Sequence, residues 1–213
     1  GENEHVEPIR DLDIENTGQL IDYLRHKGYI QSDETPSARN LRGGVSSRTV
    51  WLDLPDGRAW VLKQSLEKLR VAVDWFSDPQ RVHCEAECAR WLAELVPGHA
   101  PALHWEDHEH HVIALEAVPL PHENWKTRLL RGELDLKHTA ECGRLLATIH
   151  RKTHERFSEV EAAFSDCNFF ESLRVEPYYR YTATQVPEAA SFIGRLIESV
   201  LSYRLSLVYG DYS

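Results

Sequence analysis

A short glycine-containing loop and a lysine on a later strand-like segment are residue types that bind phosphate groups. The loop is "GGVSS", which comprises Gly43, Gly44, Val45, Ser46 and Ser47. Its backbone amides can approach phosphate oxygens, and the ammonium group of Lys63 can meet the same oxygens as a point charge. Each feature alone has an ordinary alternative. The loop matches neither established glycine-loop pattern and can be a turn that enters a hairpin, and a strand lysine can be a solvated edge residue.

Carboxylates in two later segments would complete a site for phosphoryl transfer. The segment "HCEAECARWL" has helical spacing and carries Glu85 and Glu87, which face different sides of the helix. A carboxylate on a helix that packs over a sheet can hold a strand lysine toward phosphates, and spacing alone leaves open which of the two does so. Asp211 in "LVYGDYS" follows an apolar, strand-like run, where an aspartate can accept a hydroxyl proton as a general base.

The hydrophobic pattern predicts the elements that would position these residues. Helical spacing of apolar residues predicts helices, and alternation predicts strands. In chain order the pattern predicts a helix at 17–27 that Gly28 ends, a polar loop "SDETPSARN", a hairpin of strands at 50–54 and 59–64 around "PDG", a helix in "PQRVHCEAECARWLAELVPG", two strands in "PALHWEDHEHHVIALEAVP", and helices in "HTAECGRLLATIHRKTHERF" and "PEAASFIGRLIESVLSYR".

This order of elements predicts an α+β protein with two lobes. The expected parts are an N-terminal helix and loop at 1–39, a β-rich nucleotide-binding lobe at 40–118 and a helical C-terminal lobe at 119–213. The lobes would join where the apolar strand in "VIALEAVP" breaks into a linker at Glu116, Ala117 and Val118. A linker of this kind is a place where an adenine ring can bind.

Composition limits the classes of partner. The chain of 213 residues has a formal net charge of −10, and its basic residues are scattered, so the electrostatic attraction that drives most nucleic-acid binding is missing. The sequence contains no apolar run of the roughly 18 to 20 residues that a membrane span needs, and "GENEHVEPIRDLD" does not resemble a signal peptide. We therefore expect a cytoplasmic protein without nucleic-acid or membrane partners. Its oligomeric state stays open.

Four segments, taken in order, resemble the aminoglycoside phosphotransferase and choline kinase-like superfamily. "CEAECARWLAELVPG" is similar to its R-E-A-x-x-L-x-W-L helix, and "CGRLLATIH" to its G-x-x-L-A-x-L-H helix. "LVYGDYS" is similar to the start of its V-H-G-D-x-x-x-x-N catalytic loop. With the loop, strand and lysine before them, the resemblance covers about residues 18 to 213. The first match selects Glu85 over Glu87 as the partner of Lys63.

The resemblance implies a protein-kinase-like fold and transfer of the γ-phosphoryl group of ATP to a hydroxyl of a small molecule, with Mg²⁺. Lys63, held by Glu85, would orient the α- and β-phosphates, and loop 43–47 would cover them. Residues 116–118 would take the adenine, and Asp211 would act as the base. Aminoglycosides, choline-like alcohols, methylthioribose-like sugars and macrolides all stay open as acceptors, since a fold does not fix a substrate.

The sequence departs from the family pattern in two places. Tyr209 stands where the family usually has a histidine, a mostly supporting position. The asparagine expected five residues after Asp211, and the later aspartate that also binds metal, are not within the 213 residues, so the chain itself offers no metal ligand and we expect it to be incomplete. The alternatives are a catalytically inactive, nucleotide-binding pseudokinase or scaffold and, outside this superfamily, an α+β binding protein.

Three further groups of residues allow both a functional and a structural interpretation. The segment "FFESLRVEPYYRYTATQVP" lies where the superfamily builds the wall of its acceptor site. The resemblance therefore implies contacts with the acceptor for Arg174, Tyr178, Tyr179 and Arg180. The alternative is that these residues only pack between helices. Arginines facing the cleft would favour an anionic or polyol acceptor. The histidines in "EDHEHHV", which are His108, His110 and His111, are interpreted as a solvated hairpin tip rather than a metal site. The cysteines, which are Cys84, Cys88, Cys142 and Cys167, are interpreted as reduced thiols.

Overall fold

The computed structural model describes residues 11–42 and 44–208, and its centre is one antiparallel sheet. The five strands are β1 (Ser37–Asn40), β2 (Ser47–Asp53), β3 (Ala59–Ser65), β4 (Leu103–Asp107) and β5 (Val112–Glu116). Their order across the sheet is β1-β2-β3-β5-β4, and every neighbouring pair is antiparallel. The predicted hairpins β2–β3 and β4–β5 are therefore confirmed, and the mixture of sheet and helices is compatible with a kinase-like fold.

Eight α-helices lie in the described part of the chain. They are α1 (Thr17–His26), α2 (Arg81–Leu95), α3 (Trp125–Leu130), α4 (Leu136–Glu155), α5 (Phe157–Phe164), α6 (Asn168–Phe170), α7 (Tyr181–Gln185) and α8 (Ala190–Ser202). A π-helical segment, Glu171–Arg180, joins α6 to α7, and a 3₁₀ turn, Pro187–Ala189, precedes α8. None of these described helices is long and apolar enough to cross a membrane.

The first strand was not predicted. The polar loop expected from "SDETPSARN" is wrong for Ser37–Asn40, which pairs with β2 and places Ala38 opposite Leu52. The cause is the position of β1 at the edge of the sheet, where three of its four residues are exposed. An edge strand with polar side chains on both faces gives no alternation of apolar residues for a sequence pattern to detect.

The N-terminal helix covers one face of the sheet. The side chain of Asn16 accepts a hydrogen bond from the Gln19 amide and caps α1, and Gly28, at a φ of 73°, follows its end as predicted. The buried side of α1, which includes Leu20 and Leu24, packs against apolar side chains of β2, β3 and β5. That contact fixes which face of the sheet is core, and so which side chains point to the other face.

The opposite face of the sheet carries Lys63. The strand register places Lys63 between Thr49 of β2 and Ile113 of β5, so the three side chains lie on one face. Ile113 packs there against Val82 and Ala86 of α2. Lys63 therefore points toward the side of the sheet on which α2 lies.

Helix α2 also contacts the helical second part of the protein. Its C-terminal turns bury Trp91 and Leu95 in a cluster with Ile149 of α4 and Val160 of α5. The ammonium group of Lys152 donates to the Leu95 carbonyl at 2.6 Å and satisfies an acceptor at the end of α2. Helix α2 is thus held by the sheet at its first turns and by α4 and α5 at its last turns.

Candidate active site

Lys63 and Glu85 are brought together across the gap between β3 and α2. Their Nζ and Oε1 atoms lie 2.5 Å apart, with 28% of the lysine and 41% of the glutamate side chain exposed. Glu87 faces away and instead accepts hydrogen bonds from Arg90 and Trp91, at 3.1 Å each. A half-exposed ion pair contributes little to stability, so the consequence of this contact is the direction in which it holds the lysine.

A cavity of about 430 Å³ opens beside this ion pair, and we call it the loop-side cavity. Its wall carries three cationic side chains, those of Lys63, Arg81 and Arg174, and the single carboxylate of Glu85. The remaining lining residues are Gly44, Ser46, Ser47, Thr49, Ser65, Val82, Cys84, Phe169, Phe170 and Leu173. In a chain with a net charge of −10, a cavity with an excess of positive charge is suited to an anionic ligand.

Arg81 anchors the glycine-containing loop from below. This buried guanidinium donates to the backbone carbonyls of Ser46, Leu66 and Ser77, the last two at 2.7 and 2.9 Å, and to that of Asp78 at 3.1 Å. The described residues show no ion pair for it, and burial lowers its pKa although the nearby Asp78 acts to raise it. One side chain therefore fixes the loop, the end of β3 and the start of α2 relative to each other.

We expect Arg81→Leu to lower the free energy of unfolding by about 3 kcal/mol, because it leaves four backbone carbonyls without their charged donor. Urea denaturation of the two proteins measures this difference. The matched control is Arg58→Leu in the exposed β2–β3 turn, where the arginine pairs with Asp56 and lies 5.8 Å from the Trp60 ring but holds no backbone carbonyl, so the change should stay within about 1 kcal/mol. Equal midpoints for Arg81→Leu and the unmodified protein would contradict the anchoring role.

At Gly44 the loop leaves little room for a side chain. A Cβ atom built there would lie 3.3 Å from the Ser47 carbonyl oxygen, which is tighter than an ordinary contact. The loop backbone is thus closely folded at this point. Gly43 lies outside the described residues.

A second cavity, of about 530 Å³, lies on the other side of the ion pair, and we call it the strand-side cavity. It shares Lys63, Glu85, Cys84 and Arg174 with the loop-side cavity. Leu207 and Val208, the apolar residues that precede the "YGD" segment, also line it. The chain just before Asp211 therefore borders the same space as Lys63 and Glu85, while Asp211 itself lies outside the described residues.

Helix α4 holds this last described segment in place. The Leu207 amide donates to the Thr153 hydroxyl at 3.1 Å, and His154 Nδ1 lies 2.9 Å from the Leu205 carbonyl oxygen. Residues 205–208 have no regular secondary structure, so the strand-like interpretation of this run is wrong for its described part. Contacts to the last turn of α4, rather than strand pairing, position it.

Of the three predicted linker residues, Glu116 is still the last residue of β5 and pairs with Trp60, while Ala117 and Val118 follow the sheet. Part of their backbone is already hydrogen-bonded. The Ala117 amide donates to the Ala59 carbonyl at 3.0 Å, and the Glu116 amide to the Ala102 carbonyl at 2.7 Å. Ala117 is buried and Val118 is half-exposed. A hydrogen bond to an adenine ring would therefore come from the Val118 amide rather than from either of the other two.

The four residues suggested as acceptor contacts have different surroundings. Arg174 lines both cavities. Tyr178 is exposed and contacts the Trp75 ring, Tyr179 packs in an apolar cluster around Val175, and Arg180 pairs with Glu176 at 2.7 Å. The structure thus brings Arg174 to the Lys63–Glu85 pair and places the other three away from the described cavity walls.

Sequence reasoning missed several residues of the site. Phe169 and Phe170 form part of the cavity wall, and the Ser172 carbonyl accepts a hydrogen bond from Trp75 at 2.8 Å that holds this helical segment near the 66–80 connection. Ser65 lines the loop-side cavity, and its hydroxyl oxygen is buried and has no hydrogen-bond partner within the described residues. Ser65 lies two residues after Lys63 and therefore on the same face of the strand, and this spacing could have identified it as a site residue from the sequence.

The thiol of Cys88 should react slowly. None of the four cysteines forms a disulfide, and burial, with smaller contributions from Glu85, Cys84 and Glu87, raises the pKa of Cys88 to about 11. Because the thiolate is the reactive form, we expect alkylation at pH 8 about 10²-fold slower than in the urea-unfolded chain. Peptide-resolved mass spectrometry after timed iodoacetamide labelling measures both rates, and equal rates in folded and unfolded protein would exclude a buried, raised-pKa thiol.

A comparison with protein families identifies the chain at the family level. The model of the phosphotransferase enzyme family matches residues 37–213, which is well over half of the sequence and includes both cavities. The chain belongs to the phosphotransferase enzyme family. The resemblance seen in the sequence is thereby confirmed, and a phosphotransferase of the kinase-like type follows from it. No curated protein matches the chain.

Proposed function

We propose that this member of the phosphotransferase enzyme family transfers the γ-phosphoryl group of ATP to a hydroxyl group of a small molecule. The observation that carries the proposal is the position of the Lys63–Glu85 pair. It lies between a positively charged cavity under a glycine-containing loop and a second cavity that Val208, three residues before Asp211, lines. Groups that can bind phosphate and the chain segment that leads to the proposed base thus lie on either side of the same ion pair.

The loop-side cavity would hold the phosphates. Two carbonyl groups of the loop are already hydrogen-bonded within the protein. The Val45 carbonyl accepts from the Arg70 amide at 2.8 Å, and the Ser46 carbonyl accepts from the Leu66 amide at 3.0 Å. Since a trans peptide directs its N–H opposite to its C=O, the amides that follow these carbonyls point away from those donors. Such amides, the ammonium group of Lys63 and the unpartnered Ser65 hydroxyl would donate to phosphate oxygens.

The adenine would lie on the same face of the sheet, nearer to the linker. Val61 of β3 and Leu115 of β5 are paired neighbours on this face, two residues from Lys63 and Ile113 respectively. Both are only partly buried, so they offer an apolar surface that a flat ring can cover. The division into a nucleotide-binding lobe at 40–118 and a helical lobe at 119–213, with the nucleotide between them, is part of this proposal.

Asp211 would accept the proton of the acceptor hydroxyl, and Mg²⁺ would accompany ATP. Mg²⁺ prefers carboxylate and phosphate oxygens, and Glu85, the one carboxylate in the walls of the loop-side and strand-side cavities, is engaged by Lys63. The walls of these two cavities therefore do not fit a protein-bound Mg²⁺. The positive charge of Arg174 favours an anionic or polyol acceptor over a polycation.

The test is phosphotransfer from γ-labelled ATP, with Mg²⁺, to a panel of hydroxylated acceptors that includes sugars, polyols, hydroxy acids, amino alcohols and aminoglycosides. We expect a labelled, acceptor-dependent product with at least one neutral or anionic acceptor. Binding of ATP without transfer to any member of the panel would indicate the inactive, nucleotide-binding alternative. Failure to bind ATP at all would overturn the proposal.

A further inference from the structure

The histidine-rich hairpin tip is more than a solvated turn. His108 is exposed as expected, with 70% of its side chain accessible, but only 9% of the His110 side chain is. His83, on the first turn of α2, stacks on His108 with ring centroids 3.8 Å apart and ring planes 15° from parallel, so the exposed His108 ring must turn out of this stack before a nitrogen of each ring can face one ion. The structure thus adds a helix residue to the hairpin histidines, which adjacent spacing in the sequence could not reveal.

Three side chains place metal-binding atoms at ligand spacing. His83 Nδ1 lies 3.1 Å from Glu106 Oε2, and His108 Nε2 lies 3.4 Å from Glu106 Oε1. One donor atom from each of the three lies within 4.8 Å of the others. Two ligands at roughly 2.1 Å from a tetrahedral zinc ion are about 3.4 Å apart, which is close to these separations.

The surrounding residues are of the kind that orient metal ligands. His83 Nε2, the nitrogen that faces away from Glu106, lies 3.2 Å from His111 Nδ1. Arg90 donates to Glu106 Oε1. Ligating histidines and carboxylates have such outer partners as a rule.

We propose that His83, Glu106 and His108 bind one divalent transition-metal ion of the zinc type, with a fourth position left for water. Imidazole nitrogens favour Zn²⁺ over Mg²⁺ or Ca²⁺, which prefer all-oxygen sites. The ion joins α2 to the β4–β5 hairpin, and its ligand on α2, His83, lies two residues before Glu85. The site is separate from both cavities, whose walls contain none of the three ligands.

The experiment uses untagged, chelator-treated protein titrated with Zn²⁺ in calorimetry, and with Co²⁺ for its visible spectrum. We expect one ion per chain, no competition from Mg²⁺, and a tetrahedral Co²⁺ spectrum without thiolate bands. His108→Ala, at an exposed ring, should weaken Zn²⁺ binding at least tenfold, and His111→Ala by about 10- to 100-fold. His138→Ala, at another exposed histidine, is the matched control and should bind like the unmodified protein.

Two results would overturn the site. Equal Zn²⁺ affinity in the His108→Ala variant and the unmodified protein would show that this ring is not a ligand. A thiolate-to-cobalt charge-transfer band would place the ion on cysteines instead. Circular dichroism of each variant separates loss of binding from loss of fold, and Glu106→Gln supplies an independent variant if either histidine change unfolds the protein.

Discussion

Replacing Lys63 by methionine is expected to lower kcat/KM for phosphotransfer by about 10²- to 10³-fold, which corresponds to roughly 3 to 4 kcal/mol. The physical reason is the loss of a fixed positive charge between the two cavities, where negative charge on the phosphates is greatest during transfer. Methionine is unbranched and only one atom shorter than lysine, and Lys63 is partly exposed, so the fold should survive.

The control for this variant is Lys68→Met. Lys68 is a more exposed lysine that pairs with Asp74 and lines neither cavity, so its loss should leave kcat/KM unchanged. The affinity for ATP, measured by calorimetry, should fall in Lys63→Met alone. If Lys63→Met keeps the activity of the unmodified enzyme, the lysine does not contact the phosphates.

Glu85 should act through Lys63 rather than on the substrate. We expect Glu85→Gln to lower kcat/KM by a smaller factor than Lys63→Met, and the double variant to be no worse than Lys63→Met alone, because the carboxylate only orients the ammonium group. The helix offers a matched control two residues on: Glu87→Gln breaks contacts with Arg90 and Trp91 but not with Lys63. Additive effects of the two changes would argue for an independent role of Glu85.

The parts of the fold that were predicted correctly are those with a strong apolar period. Helix α1 buries one side against the sheet, and the β2–β3 hairpin alternates around a turn that contains Gly57 at a φ of 86°. In both, local sequence and tertiary packing favour the same structure. Strand β1 was missed because its contacts with β2 are backbone hydrogen bonds and the guanidinium of Arg39 over the Trp51 ring, neither of which produces an apolar period.

The site likewise contains residues that could be recognised from the sequence and residues that could not. Lys63 and the loop could be recognised because their residue types suit phosphate, whereas Arg81 could not, since its partners are backbone carbonyls from three separate segments. Spacing also left the choice between Glu85 and Glu87 open, and only the family pattern separated them before the side chains were placed. Contacts between residues far apart in sequence are the information that a single sequence does not carry.

Asp211→Asn is expected to lower kcat by about 10²- to 10⁴-fold while the affinity for ATP stays unchanged. An asparagine has nearly the same shape as an aspartate but cannot accept the proton that the acceptor hydroxyl must lose. As the proposed base, Asp211 would contact the acceptor and not the nucleotide, so its loss would affect the chemical step and spare ATP binding. The control is Asp22→Asn, on the exposed side of α1.

The pair of variants separates nucleotide binding from chemistry. Lys63→Met should raise the Kd for ATP and also slow phosphotransfer, whereas Asp211→Asn should slow phosphotransfer and leave the Kd unchanged. Single-turnover rates at saturating ATP measure phosphotransfer in both variants. Full phosphotransfer by Asp211→Asn would remove this residue as the base. Equal losses of ATP affinity in both variants would instead place Asp211 among the groups that bind the nucleotide, and the base would have to be sought elsewhere along the strand-side cavity.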